Sequence, residues 1–333
     1  MTIRQPALRW QDALPSGNGR LGALVYGHIR REVVLLNHED LWLRTPKPEL
    51  PDVSDAVPEL RRLLLDGHYG PAHEFLDRKL RERGLDGKQI DPYHPAGDLT
   101  IEVQTEGAFS DYRRGLQFET GEVSVTWRTA EDGCAISFER LLFVSRADDV
   151  VVMRVRASEP GHVTARFPLE PHLPQIGAGP GYETDRDLSR FGLSFECTAE
   201  RNRFRLIGHY ADGNAFGIVA DVVNADGTCT ADGDSCFVSD AEEVLVRLKL
   251  FANEAAEQAA GRLMNELAAL PSDYELLLER HLAQHRPLFK RVSLDLGGRE
   301  RERSNDELLM EAYEGDSPDA LIERMALFGR YLL

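Results

Sequence analysis

Cysteine is scarce in this chain, with four residues in 333, at Cys134, Cys197, Cys229 and Cys236. No two form a C-x-x-C pair and no clustered histidines follow them, which argues against a structural zinc site. The expectation is reduced, buried thiols in a cytoplasmic protein, with no metal and no cofactor. Long apolar runs are missing too. No stretch nears the roughly 20 apolar residues that a membrane-spanning helix needs. The opening Met1-Thr2-Ile3-Arg4-Gln5-Pro6 lacks the apolar core of a secretory signal. Basic residues are in deficit, 39 Lys and Arg against 56 Asp and Glu, giving a net charge of −17. That balance disfavours nucleic acid and anionic membranes as partners, because both attract a basic face. A soluble protein with a neutral substrate is expected.

What is present is mostly period-two patterning. Leu21 to Tyr26 and Val33 to Leu36 are short apolar runs that suit a β-hairpin. A helical interlude follows. Leu60, Leu63 and Leu64 share one face, Gly67 ends it, and Pro71 opens a second helix with Phe75, Leu76 and Leu80 on its apolar side. From Gly97 alternation takes over: Leu99, Ile101 and Val103; Val123, Val125 and Trp127; then Ile136, Phe138, Arg140, Leu142 and Val144, in which the arginine breaks the apolar pattern. Further runs come at Val151–Val155, Val163–Phe167, Leu193–Cys197, Phe204–Leu206 and Val244–Leu250. Turn pairs such as Pro160-Gly161 and Asp212-Gly213 separate many of them. Many strands without alternating helices predict antiparallel sheets in a sandwich or barrel. The Gly- and Pro-rich stretch from Pro171 to Arg190 reads as an inserted loop.

After Asn253 the period returns to 3.6. One helix is expected over Glu254 to Leu270. Ser272-Asp273-Tyr274-Glu275 and Ser304-Asn305-Asp306-Glu307 read as capping boxes, and Ser317-Pro318 as the cap and first residue of a last helix. In that helix Leu321, Met325, Phe328 and Leu332 form one stripe, widened by Ile322, Tyr331 and Leu333. No glycine stop follows it, so the reading is of a helical domain cut just as it begins, its stripe exposed on at least one side.

Several motifs bear on chemistry. Gly17-Asn18-Gly19-Arg20-Leu21-Gly22 spells a dinucleotide fingerprint, but no helix fits before Gly27. It reads as a glycine-rich turn entering a strand. His281 and His285 stand one helical turn apart, but Leu282 takes the place of the glutamate a zincin needs, so they read as a pair on a linker surface or interface. Asp226 to Asp234 lacks the register of a calcium loop and reads as hairpin turns. Gly177 to Gly181 lacks the lysine of a phosphate loop. Asn37, His38, Glu39 and Asp40 beside Trp42 suit a sugar-contacting edge, the ring stacking and the polar groups binding hydroxyls. No catalytic residue is singled out, since spacing does not pick the two carboxyls that glycoside hydrolysis needs from so many.

Read in order, several segments resemble glycoside hydrolase family 95, the α-L-fucosidase-like enzymes. They are Trp10 to Ala23, Leu36-Asn37-His38-Glu39-Asp40-Leu41-Trp42, Tyr93-His94-Pro95-Ala96-Gly97-Asp98-Leu99, Asp111-Tyr112-Arg113-Arg114-Gly115-Leu116, and Phe328 to Leu333. The resemblance implies a mainly β chain: an antiparallel β super-sandwich, galactose-mutarotase-like, over residues 1–253. A helical linker over 254–303 would follow, then the start of a truncated (α/α)6 barrel over 304–333. It implies an inverting hydrolase acting on an L-fucoside or L-galactoside type glycan, with the catalytic acid and the water-activating groups in the missing barrel. His38 stands where the family often carries glutamate, which opens the sugar preference to L-galactose. Asn37, His38, Glu39, Trp42, Tyr93 and His94 are the candidates for substrate binding or a domain interface. The alternatives are a stand-alone carbohydrate-binding sandwich and a mutarotase-like enzyme.

Overall fold

The structure is a computed structural model that describes residues 1–43, 49–85, 91, 93–105, 107–131, 134–172, 192–223, 226–297, 303–315 and 317–333. The loop expected between Pro171 and Arg190, with its Gly177 to Gly181 stretch, falls outside the described residues from 173 onward. The chain forms two compact units, Met1–Leu41 with Pro95–Leu333, and Trp42–His94.

The larger unit is a two-sheet antiparallel sandwich with helices after it. Its strands in chain order are β1 (Thr2–Ile3), β2 (Leu14–Gly17), β3 (Leu21–Val25), β4 (Arg31–His38), β5 (Gly97–Val103), β6 (Phe109–Gln117), β7 (Glu122–Glu131), β8 (Cys134–Ser145) and β9 (Val150–Ala157). They continue with β10 (Val163–Phe167), β11 (Leu169–Glu170), β12 (Ser194–Glu200), β13 (Arg203–His209), β14 (Ala215–Val223), β15 (Thr228–Asp232), β16 (Ser235–Ala241) and β17 (Glu243–Glu254). One sheet runs β1-β6-β7-β8-β9-β17-β14-β13-β12; the other runs β15-β16-β10-β5-β4-β3-β2, with β11 paired to β5. Among its described residues the smaller unit holds two α-helices, α1 (Val57–Leu65) and α2 (Tyr69–Glu82). Gly67 between them has φ +77°, the left-handed turn that a side chain would strain.

The expected alternation packs as it should. Leu99, Ile101, Val123, Val125, Trp127, Phe138, Leu142, Val163, Phe167, Val244 and Leu248 all meet in the core between the sheets. Arg140, the exception, is buried there as well. It forms an ion pair with Glu32 of the opposite sheet and donates to the carbonyls of His28 and Ile29. Its guanidinium also lies 5.2 Å from the Trp127 ring centre. Glu32 accepts from the N–H groups of Gly27 and Val33 as well, so the buried carboxylate is hydrogen-bonded through both oxygens.

A second core lies on the outer face of the nine-stranded sheet. Helices α3 (Ala256–Ala269) and α4 (Tyr274–Phe289) bury Ala259, Leu263, Leu267, Tyr274 and Leu277 against Phe143, Val152, Val219, Leu245 and Phe251. The chain ends in α5 (Asn305–Glu314) and α6 (Asp319–Leu332). The box at Ser304 and Glu307 forms reciprocally. The other caps differ from expectation. Asp273, not Ser272, caps α4, because its carboxylate reaches the N–H of Leu276 at 2.8 Å. Pro318 occupies the cap position of α6, so Ser317 lies outside that helix.

Helix α6 is only partly exposed. Leu327, Phe328 and Tyr331 pack against the sandwich core, while Ile322, Met325 and Leu332 face solvent. No helix among the described residues is long and apolar enough to cross a membrane.

Candidate functional site

The glycine-rich segment is a hairpin turn between β2 and β3, with Gly19 at φ +98°. The Asn18 carbonyl-type side-chain oxygen accepts from the N–H groups of Arg20 and Leu21 at 2.9 and 2.7 Å. Its amide nitrogen donates to Ser145 O and to Asp149 Oδ1. Arg20 pairs with Asp149 at 2.9 Å, and Arg146 donates to Asn18 O at 3.1 Å. These bonds clasp the turn to the β8–β9 connection. The segment is therefore a structural lock, as a strand on each side requires.

Strand β4 carries the next candidates. Asn37 sits opposite Gly22 and lines a cavity of about 260 Å³ with Pro15, Gly17, Arg146 and Tyr331. None of the side chains lining that cavity is a carboxylate, so they supply no acid/base pair of their own. His38 is buried, and its Nδ1 accepts from the Asp40 N–H at 3.1 Å. Burial, reinforced by the charge of Arg20, lowers its pKa and keeps the ring neutral. His38 thus shapes the turn after β4. Glu39 and Asp40 are exposed beside it, and Asn253 donates to Asp40 O at 3.1 Å.

In the smaller unit Trp42 and Tyr93 form an isolated antiparallel bridge. Their rings meet edge to face, 5.0 Å apart at 64°, and are 47% and 42% exposed. Two half-open aromatic faces held at an angle are a surface on which the apolar face of a sugar can stack. His94 is buried. Of the six candidates, then, the structure pairs Trp42 with Tyr93, sets Asn37, His38 and Glu39 in a row on the larger unit, and opens neither His38 nor His94 to solvent.

The helices add an arrangement that spacing alone left undecided. His281 and His285 are buried, so the interface reading holds and the surface one does not. The Arg146 N–H donates to His281 Nδ1 at 3.1 Å, which leaves the proton on Nε2; that nitrogen donates to Thr120 O at 3.0 Å. His285 Nε2 donates to Phe118 O at 2.8 Å. Phe118 itself touches the rings of Phe289, Phe328 and Tyr331 at 5.9–6.5 Å. Tyr331 donates to Pro15 O at 3.2 Å, and burial pushes its pKa up to about 12. One β-turn of the sandwich thus grips both α4 and α6. Asp226 is similarly structural, accepting from the N–H groups of Glu242 and Glu243.

Comparison with known proteins follows this division. Residues 1–255 match the N-terminal domain of glycosyl hydrolase family 65, and residues 273–333 match the catalytic domain of glycosyl hydrolase family 95. The chain belongs to the family 65 N-terminal domain family. The sandwich is the part that matches family 65, and α4 to α6 fall in the short segment that matches family 95. Alpha-L-fucosidase 2 of Arabidopsis thaliana is 26% identical over 100% of the chain and 41% of its own length. The probable alpha-fucosidase A of Aspergillus niger is 29% identical over 44% of the chain and 18% of its own length. The chain therefore spans about two fifths or less of the curated relatives it matches. A solved structure provisionally described as a kojibiose phosphorylase from the human microbiome superposes with a TM-score of 0.46 at 9% identity, over 86% of this chain and 38% of that one.

Proposed function

We propose that this chain is the non-catalytic front part of an inverting α-L-fucosidase-like glycoside hydrolase, and that its sandwich braces the helices of the catalytic domain. The observation that carries this is the grip of the sandwich on α4 and α6. Two histidine–carbonyl bonds, the Phe118 cluster and the Tyr331–Pro15 bond all join residues of the family 65 match to residues of the family 95 match. A brace of this kind holds reacting groups in place, and catalysis is sensitive to small displacements of them. Asn37 would then belong to the interface with α6. The L-fucoside preference rests on the two fucosidase relatives, and the L-galactoside alternative on His38 in place of the glutamate common in the family.

A second role is favoured by Trp42 and Tyr93, whose open rings suit stacking on a sugar. Both readings meet one test. The protein that carries these residues together with a family 95 catalytic domain should hydrolyse aryl α-L-fucosides or α-L-galactosides with inversion, while the 333 residues alone should show no enzymatic turnover. In that protein Trp42→Ala should raise KM several-fold with the melting temperature unchanged. Turnover by the 333 residues alone would overturn the non-catalytic reading. An unchanged KM in the Trp42 variant would remove the sugar contact.

A further inference from the structure

Part of the nine-stranded sheet's outer face is left open by α3 and α4. Over β6 to β9 it forms a groove of about 1040 Å³. Strand register fixes its floor. Arg113 lies opposite Thr126, Thr126 opposite Glu139, and Glu139 opposite Arg156, in one row across four strands. At about 4.8 Å per strand, the two arginines stand roughly 14 Å apart. The next row sets Arg128 opposite Ser137, and their side chains are bonded at 3.2 Å. Phe109 rises at the edge, 57% exposed. Arg4 joins the lining, so four guanidiniums line the groove beside Asp111 and Glu139, with Glu242 and Glu307 paired at its margin, on a chain whose net charge is −17.

The motif Tyr112-Arg113-Arg114 sharpens the point. Tyr112 donates to Gly27 O at 2.7 Å, and Arg114 donates to Gln5 O and Asp12 O. Both are committed to holding the β6 edge. Arg113 lies between them in sequence, is exposed, and has no side-chain partner among the described residues. The charges of the other arginines meet only exposed carboxylates: Arg128, which also donates to Ser137, pairs with Asp111 at 3.3 Å, Arg156 with Glu242 at 3.2 Å and Arg4 with Glu307 at 3.3 Å. Exposed pairs contribute about 0–1 kcal/mol, so a ligand anion can replace them at little cost.

We propose that this groove is an accessory site for an acidic oligosaccharide, one whose sugar rings carry carboxylates. The guanidinium fork matches a carboxylate in two parallel hydrogen bonds, Thr126 and Ser137 supply hydroxyls to the ring, and Phe109 offers it an apolar face. Nucleic acid fits less well, because it needs a long basic stripe and the basic patch here spans only four strands. The site lies apart from the grip on α4 and α6 and does not depend on the bracing role.

The test is calorimetric titration of the 333-residue chain with a short oligogalacturonate, beside a neutral galactan oligosaccharide and a heparin-derived oligosaccharide. Saturable binding of the oligogalacturonate is expected, weakening as salt is raised. Arg113→Ala with Arg156→Ala should lower the affinity at least about tenfold. Phe109→Ala should lower it severalfold, and Arg20→Ala, outside the groove, should leave it unchanged. Circular dichroism checks that each variant is folded. No binding, equal binding of the neutral sugar, or loss in the Arg20 variant alone would overturn the site. Binding of the heparin fragment without the oligogalacturonate would overturn the carboxylate assignment.

Discussion

The two buried histidines respond to acid in a direction that their hydrogen bonds set. His281 uses Nδ1 as an acceptor and Nε2 as a donor, so adding a proton breaks the bond from Arg146. Burial, then the charge of His285, lowers its pKa to about 4; the Thr120 carbonyl opposes this and Arg146 adds to it. His285 is lowered for the same main reason. A folded pKa below the unfolded value of about 6.5 means that the unfolded chain takes up the proton first. The stabilisation is therefore complete above about pH 6.5 and is lost as pH falls towards 4, up to about 3 kcal/mol for His281. Urea unfolding at a series of pH values should show this slope, and His281→Gln should flatten it. Parallel slopes in the two proteins would mean that other groups carry the acid sensitivity. In sequence these histidines gave only their spacing. Whether the pair bound metal, faced solvent or locked an interface depended on Thr120 and Phe118, more than 160 residues away along the chain. Arg140 was visible as a break in an apolar alternation, but its partner Glu32, on the other sheet, was not.

Helix α6 shows how a correct pattern can be given the wrong neighbour. Its stripe of Leu321, Met325, Phe328 and Leu332 is a true amphipathic face, and it was expected to wait for a partner. Phe328 and Tyr331 already have one in Phe118, while Leu321 packs with Leu308 of α5. Phe118→Ala should cost about 3–5 kcal/mol, the usual range for emptying a buried phenylalanine site. The loss should also be uneven. Amide exchange should rise over Leu327–Tyr331 well before it rises in β14, since local contacts set local opening. Equal acceleration in both would mean that α6 and the sandwich open only together. Strands with one face in the core were legible from alternation, as β5, β7 and β8 show. Strand β14 was not, because its residues from Ala215 to Val222 are buried on both sides, between the sandwich core and α3. Covered on two faces, a strand loses its polar half, and with it the period that marks it. Strands β15 and β16 were hidden differently, their Asp-Gly pairs reading as turns alone.

Across the whole chain, apolar surface is unevenly disposed. The sandwich closes its cores, whereas α5 and α6 expose Leu309, Met310 and Tyr313 and then Ile322, Met325 and Leu332. Met310 and Met325 are 59% and 65% open. Burying a large apolar side chain is worth about 1.5–3 kcal/mol, so covering three of the six would yield roughly 5–9 kcal/mol. Bringing two molecules together costs about 4–15 kcal/mol before any contact counts. The two ranges overlap, which predicts weak, concentration-dependent self-association rather than a tight dimer. Sedimentation of the 333-residue chain should show its mass-average rising with concentration, and Met310→Glu with Met325→Glu should hold it at the monomer. Because both methionines lie outside the buried clusters, the melting transition of the sandwich should stay where it is. A wild-type chain that remains monomeric at every concentration would mean that these side chains cover one another within a single molecule, and that the helices present no adhesive face.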